Sequence, residues 1–181
     1  MSEGSDAPRG SDPILDEVRR FYESHQEGLE ASRHRHRYYY DYLTRILQVR
    51  VPQGQRVLDL GCGSGHLLAA LHPSRGVGID ISGPAIRTAR ERHGDDSLSF
   101  VQGDASDPAV LARAGGPFDV ILLVNVVTHL TDVQAALEAL QTVSHGQTRV
   151  LIYSYSRLWQ PLLHQLYSFF DLILNKTNAR H

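Results

Sequence analysis

Residues 57–66 read Val-Leu-Asp-Leu-Gly-Cys-Gly-Ser-Gly-His, and this stretch decides the fold. Its apolar start predicts a β-strand that runs directly into Gly61, Gly63 and Gly65 and then into a helix. Glycine lets the backbone turn sharply and approach a ligand with no Cβ in the way. We therefore predict a strand, a turn and a helix in succession, with a nucleotide-type ligand against the turn.

The chain after Pro52 alternates short apolar runs with helical segments. The predicted strands are residues 56–60, 76–80, 98–102, 118–125 and 149–155. Helix starts are marked by Ser82 or Gly83 before Pro84, by Asp107 before Pro108, and by a capping box of Thr131 and Gln134. This alternation is typical of βαβ units. We predict an α/β fold, a doubly wound, Rossmann-like and mostly parallel sheet with helices on both faces, and we expect ligands beyond the carboxyl ends of the strands.

Two segments precede this region. Residues 1–12 are rich in Ser, Gly and Asp, and we expect a disordered tail there. Helices are predicted from Pro13 to about Tyr22 and over residues 29–49. We assign residues 13–50 as a helical cap over the ligand site and residues 51–181 as the Rossmann-like domain.

The composition excludes several classes of protein. The chain has 181 residues, 41% of them hydrophobic, which suffices for one core and excludes a wholly disordered chain. The 18 basic residues nearly balance the 20 acidic ones, so we expect no general affinity for nucleic acid. A single cysteine and an N-terminus without a secretory pattern favour the cytoplasm. Lys176 is the only lysine in the basic set, which indicates a GC-rich bacterial source.

Asp80 ends the second predicted strand and places a carboxylate beside the glycine turn. There it could accept hydrogen bonds from both hydroxyls of a ribose. A NAD site is the alternative, but its fingerprint requires Gly or Ala where this chain has His66. Asp59, two residues before Gly61, would also disfavour a pyrophosphate and suits a cationic ligand without phosphate.

Asp104 follows the third predicted strand and could accept a hydrogen bond from an exocyclic amine such as that of adenine. Capping of a turn is its alternative role. Together with the glycine turn, Asp59 and Asp80, it describes a pocket for an adenosine that carries a positively charged tail. S-adenosylmethionine fits this description.

The sequence resembles the class I S-adenosylmethionine-dependent methyltransferases of the small-molecule type. Four stretches in order carry the resemblance, which covers about residues 55–155: residues 57–65, 76–82, 102–107 and 118–130. It implies the following cofactor contacts: Gly61, Cys62 and Gly63 along the methionine part, Asp80 at the ribose, Ile81 on the adenine ring, Asp104 and Ala105 at its amine edge, and Asn125 near the sulfonium.

The resemblance also implies a reaction, which is methyl transfer to a small-molecule acceptor with S-adenosylhomocysteine as product. Such a transfer is an in-line displacement that requires neither a covalent intermediate nor a metal. His129, just past the fourth strand, could act as a general base, but a loop histidine bonded to the backbone is the alternative, and we assign no catalytic residue. Cys62 is interpreted as a small residue in a tight turn, because nothing nearby in sequence activates a thiolate.

The run of Arg, His and Tyr at residues 33–40 has two interpretations. It is either a solvated helix face or a helix over the cofactor pocket, as in similar enzymes, with Arg37 or Tyr39 near the methionine carboxylate. His34 and His36 face apart on a helix, so we expect no metal site there.

Residues 158–174 are apolar and aromatic but too short and too interrupted to span a bilayer. A core-facing helix and a helix that binds a membrane surface or a partner both fit, and the aromatic content favours a hydrophobic acceptor. Because the resemblance implies further strands, we expect the C-terminal strands to be missing and the fifth strand to be an apolar edge. A dimer, a partner or the terminal helix could cover this edge. A catalytically silent, cofactor-binding interaction protein is therefore the alternative to an enzyme.

Overall fold

The computed structural model describes residues 13–25, 36–130 and 132–154. The predictions for the tail, for the first part of the second helix, for Thr131 and for residues 158–174 lie outside these ranges. Within them, no helix has the length and apolar character that crossing a membrane requires.

The described residues form alternating helices and strands. The helices are α1 (Pro13–Ser24), α2 (Arg37–Arg50), α3 (His66–Ala70), α4 (Gly83–His93), α5 (Pro108–Ala114) and α6 (Val133–Ala139), with 3₁₀ turns at Val127–His129 and Leu140–Val143. The strands are β1 (Arg56–Leu60), β2 (Arg75–Asp80), β3 (Leu98–Gln102), β4 (Phe118–Val124) and β5 (Ser144–Tyr153).

The sheet is parallel and has the strand order β3-β2-β1-β4-β5. The chain first winds outwards from β1 to β3 and then returns to the other side of β1 with β4. The loops after β1 and β4 therefore leave in opposite directions and open a crevice at the carboxyl ends of these strands. The predicted α/β fold with a parallel sheet is confirmed.

Each face of the sheet carries a buried apolar layer. On one face α2, α3 and α4 pack against β1 and β4, through Leu43, Leu47, Leu68, Ile86, Val57 and Leu122. On the other face α5 and the second 3₁₀ turn pack against the same strands, through Val110, Leu111, Leu140, Val143, Leu58 and Ile121. We call these the first and second layers. Burial of both faces explains why the interior strand β4 is apolar at six of its seven positions.

The helix caps agree with the sequence at two of the three predicted starts. The Ser82 hydroxyl accepts a hydrogen bond from the Ala85 N–H at 3.3 Å, and the Asp107 carboxylate accepts one from the Ala109 N–H at 2.8 Å. Of the predicted capping box at Thr131 and Gln134, Thr131 lies outside the described residues, and the N-cap of α6 is Asp132. Asp132 caps α6 by accepting from the Ala135 N–H at 2.9 Å, because a carboxylate is the better N-cap acceptor. The Gln134 amide instead donates to Glu138.

Four strand ends differ from the predictions. β2 begins at Arg75, one residue earlier than predicted, and β5 ends at Tyr153, two residues earlier than predicted. β4 ends one residue early because Asn125 has a φ of +56°, which is outside the extended region. β5 begins at Ser144, five residues before the predicted start, and its register against β4 is shifted between Phe118 and Val120. The extra residues are held by a hydrogen bond from the Thr148 hydroxyl to the Phe118 carbonyl at 2.6 Å.

Candidate cofactor and active site

A cavity of about 360 Å³ lies at the carboxyl ends of β1 to β4, in the crevice that the strand order predicts. Most of the residues assigned to the cofactor from sequence line it, namely Gly61, Cys62, Gly63, Asp80, Ile81, Asp104, Ala105 and Asn125. Asp59 and Tyr39 do not line it. The fold therefore brings together side chains that follow four different strands.

The turn after β1 requires glycine for two distinct reasons. Gly61 and Gly63 have φ values of +73° and +53°, which side chains with a Cβ rarely adopt. A Cβ on Gly61 would also lie 2.7 Å from Val126 Cγ2, whereas one on Gly63 would meet no described atom within 4 Å. The loop after β4 thus presses against the first glycine of the turn and leaves the second one open towards the cavity.

Asp80 is fixed at the edge of the cavity by backbone groups. Its Oδ2 accepts the Gly63 N–H at 2.7 Å, and its Oδ1 accepts the Ser82 N–H at 2.9 Å. Burial raises the pKa of this carboxyl above its ordinary value, and the two hydrogen bonds counteract part of the increase. Each carboxylate oxygen has a second lone pair, so both can still accept from a ligand.

Asp59 occupies a different environment from the one expected. It is 2% exposed, and its Oδ2 has no hydrogen-bond partner in the described part of the chain. Burial, followed by the charge of Asp80, raises the pKa of Asp59 to about 8. Alternation along β1 explains this placement, since residue 59 shares the face of Val57 and enters the first layer. At neutral pH this carboxyl is mostly uncharged.

Asp104 has the turn-capping role that was the alternative from sequence, and it also lies at the cavity. Its Oδ1 accepts the Ser106 N–H at 2.9 Å and its Oδ2 accepts the Ser106 hydroxyl at 2.7 Å, which are the contacts of a turn cap. The residue also lines the cavity next to Ala105. The local hydrogen bonds hold the carboxylate in place and leave lone pairs for an amine.

The second helix reaches the site through a hydrogen bond. The Asn125 amide donates to the Tyr39 hydroxyl at 3.1 Å, and Tyr39 packs against the first layer. Tyr40, the next residue, lines the cavity itself, while Arg37 is exposed and does not line it. Tyr39 thus touches a residue of the cavity wall, and Tyr40 is a wall residue that the sequence did not indicate.

Helix α1 supplies a further part of the wall. Leu15, Val18 and Tyr22 line the cavity from one side of this helix. The Tyr22 hydroxyl lies 3.0 Å from His129 Nε2, in the 3₁₀ turn after β4. The apolar spacing of α1 indicated a buried face, but no local pattern indicated what that face contacts.

The structure describes one of the two kinds of reactive side chain that the sequence raised, the Cys62 thiol. Cys62 is a buried free thiol whose pKa lies well above its ordinary value because of burial and the nearby Asp59 and Asp80. Such a thiol stays protonated and is a poor nucleophile. His34 lies outside the described residues, and within those that are described there is no group of three or more His, Cys, Asp and Glu that could hold a metal ion.

Comparison with known proteins identifies the family. A family model described as a methyltransferase domain matches residues 52–177. This chain belongs to that methyltransferase family. The match includes β1 to β5 and the loops that line the cavity, so the predicted resemblance is confirmed.

The relatives of this methyltransferase domain act on different atoms. It is 35% identical over 85 residues to a ubiquinone biosynthesis O-methyltransferase from Caulobacter sp., a match that covers 44% of this chain and 32% of the relative. It is 29% identical over 131 residues to a ubiquinone/menaquinone biosynthesis C-methyltransferase from Burkholderia vietnamiensis, covering 68% and 54% respectively. The chain thus spans about a third to about half of the lengths of these curated relatives.

A solved structure shows the same fold. A methyltransferase from Thermotoga maritima, described as a possible histamine N-methyltransferase, superposes with a TM-score of 0.62. The identity is 18%, and the match covers 75% of this chain and 60% of that one. At this identity the similarity is one of fold alone.

Proposed function

We propose that this methyltransferase domain binds S-adenosylmethionine in the cavity and transfers its methyl group to a small-molecule acceptor. The hydrogen bond from Gly63 to Asp80 carries the proposal, because it joins the glycine turn to the carboxylate that would receive the ribose. Membership of the methyltransferase family supports it. A volume of about 360 Å³ lies within the usual range for small-molecule sites, which is roughly 300 to 1,000 Å³.

Each residue assigned to the cofactor from sequence has a proposed contribution. Gly61, Cys62 and Gly63 would run along the methionine part, Asp80 would accept from the ribose, and Ile81 would pack on the adenine. Asp104 and Ala105 would bind the adenine amine, and Asn125 would lie near the sulfonium with Tyr39 holding its amide. Asp59 is buried and does not line the cavity, so its contribution to cofactor binding would be indirect. We further propose that residues 13–50 cap the site and that residues 51–181 form the cofactor-binding domain.

When bound, S-adenosylmethionine supplies a methyl group that the sulfonium already activates. The protein then has to hold a nucleophile in line and exclude water. Helix α1 and Tyr40 contribute to that exclusion, since their side chains close one side of the cavity. The apolar Leu15, Val18 and Leu130 on the same wall favour a hydrophobic acceptor. We propose the cytoplasm as the location.

A cofactor-binding domain without catalytic activity is the second candidate. Val150 and Ile152 of β5 are 42% and 54% exposed, and they leave an apolar edge at which a partner or a second copy could pack. A purified chain that binds the cofactor but transfers no methyl group to any acceptor would favour this candidate.

Calorimetric titration tests the main proposal. S-adenosylmethionine and S-adenosylhomocysteine should each bind with a stoichiometry near one, while NAD, added at the same concentration, should give no saturable heat. Absence of binding for the first two compounds, in a preparation whose unfolding transition is cooperative, would contradict the proposal.

A further inference from the structure

Tyr22 and His129 form a pair on the cavity wall. The tyrosine hydroxyl lies 3.0 Å from His129 Nε2, and the two rings meet edge to face at a centroid distance of 5.5 Å. Both residues line the cavity, although 107 positions separate them in sequence. Tyr22 is half-buried and His129 is exposed, so the pair extends from the cavity to solvent.

The position of the pair relative to the sheet strands places it beside the proposed reaction centre. His129 ends the 3₁₀ turn after β4, and β4 lies next to β1 at the point where the strand order reverses. The same loop touches the glycine turn, since Val126 occupies the space that a Cβ on Gly61 would need. The proposed adenine contacts lie on the other side, after β2 and β3. The pair therefore faces the methionine end of the cofactor.

The ionisation state of Tyr22 allows it to donate this hydrogen bond, and the tautomer of His129 decides the direction. Burial, followed by the negative charge of Asp80, raises the pKa of Tyr22. The side chain thus remains a phenol with a proton to donate at neutral pH. Its oxygen keeps lone pairs that can accept a hydrogen bond from a group in the cavity.

We propose that Tyr22 and His129 form a proton relay for an acceptor hydroxyl, an inference that rests on the proposed methyl transfer. The acceptor oxygen forms a bond to the methyl carbon while the sulfur–carbon bond breaks and its electron pair returns to sulfur. The acceptor proton moves to the Tyr22 oxygen, and the Tyr22 proton moves to His129 Nε2. The positive charge of the sulfonium is replaced by that of the imidazolium, which exchanges its proton with solvent.

The tautomer of His129 tests the relay without any acceptor. Donation by Tyr22 requires an unprotonated Nε2, so neutral His129 must carry its proton on Nδ1. We expect long-range ¹H–¹⁵N spectra of the S-adenosylhomocysteine complex, recorded at about pH 8, to show the Nδ1–H form. The Tyr22→Phe variant should lose this Nδ1–H form. The signal is assigned to His129 by its disappearance in His129→Gln. An Nε2–H tautomer in the parent protein would overturn the relay while leaving cofactor binding intact.

Transfer of labelled methyl groups tests whether the relay is needed for acceptors that must lose a proton. Catechol and 1-octanol carry a proton to be removed, whereas octanoate is already ionised and needs no relay. We expect the parent protein to methylate at least one of the two hydroxyl probes. The rate of this transfer should fall about 100-fold in Tyr22→Phe and in His129→Gln. S-adenosylhomocysteine affinity should stay within about twofold of the parent in both variants.

Two exposed residues away from the cavity provide matched controls, Tyr38→Phe and His36→Gln. Both should retain the parent rate. The relay is wrong if octanoate is the only acceptor, if neither hydroxyl probe is methylated, or if the two relay variants keep the parent rate. Failure of S-adenosylhomocysteine to bind the parent protein would instead contradict the proposed function itself.

Discussion

The backbone N–H of Gly63 donates to Asp80 Oδ2 at 2.7 Å and so joins the turn after β1 to the end of β2. The Ser82 N–H donates to the other oxygen of the same carboxylate. The proposed ribose acceptor is therefore oriented before a ligand arrives. Such preorganisation favours binding, because less conformational entropy is lost when the complex forms.

Replacement of this carboxylate should weaken cofactor binding. Asp80→Asn keeps the shape of the side chain but removes its charge and turns one acceptor into a donor. Hydrogen bonds to charged groups contribute about 1.5–3 kcal/mol, so we expect the dissociation constant for S-adenosylhomocysteine to rise about tenfold to 100-fold. Calorimetry measures the change. The exposed Asp96→Asn serves as the control, and equal affinities for the two variants would contradict the ribose assignment.

Alanine substitutions in the glycine turn should lower the free energy of unfolding in a defined order. Gly63→Ala incurs the cost of a positive φ alone, about 1–2 kcal/mol. Gly61→Ala adds a clash with Val126, which should cost about 1–3 kcal/mol more. Gly146→Ala is the control, because its φ is not in the left-handed region and a Cβ there meets no described atom. Urea unfolding of the three variants gives the order, and Val126→Ala should recover part of the loss in Gly61→Ala only.

Much of the fold could be predicted from local pattern. The bounds of β1 and β3 agree with the sequence, since each is a short apolar run that ends at a glycine or polar residue. The start of β5 could not be predicted, because residues 144–148 contain Gly146 and have the composition of a turn. Long-range contacts hold them in the sheet instead, from Thr148 to Phe118 and from His145 to Asp119.

The candidate site also contains residues that the local sequence predicts and contacts that it does not. Residues that follow a strand within one motif, such as Gly61, Asp80 and Asp104, line the cavity as the sequence indicates. The contact of Tyr22 with His129 depends on how α1 packs across the sheet, and no local signal encodes that packing. Strand alternation alone would have placed Asp59 on the face of Val57, away from the cavity.

Asp59 should make stability depend on pH. The folded protein keeps a proton on this carboxyl up to about pH 8, whereas the unfolded chain releases it at about pH 4. Between these values the unfolded state binds fewer protons, so stability should fall as pH rises, by up to about 1.4 kcal/mol per pH unit. Asp59→Asn is neutral throughout and should remove this slope.

Urea unfolding at several pH values measures that effect. The parent and Asp59→Asn should be about equally stable near pH 4, and the variant should be the more stable one at pH 8. Asp96→Asn, on an exposed loop, should retain the parent slope. Parallel curves for the parent and Asp59→Asn would show that the buried carboxyl is ionised in the folded protein.

The hydrogen bond between Tyr39 and Asn125 predicts how α2 contributes to binding. Tyr39→Ala removes the hydroxyl that accepts from the Asn125 amide and a ring that packs against the first layer, so cofactor affinity should fall several-fold. Tyr39→Phe keeps the ring and separates the hydroxyl contribution, which should be about 0.5–1.5 kcal/mol, or about twofold to tenfold in affinity. Tyr38→Phe, at a residue that is 85% exposed, should have no effect. Calorimetry with S-adenosylhomocysteine measures all three, and unchanged affinity in Tyr39→Ala would contradict a contribution of the Tyr39–Asn125 hydrogen bond to cofactor binding.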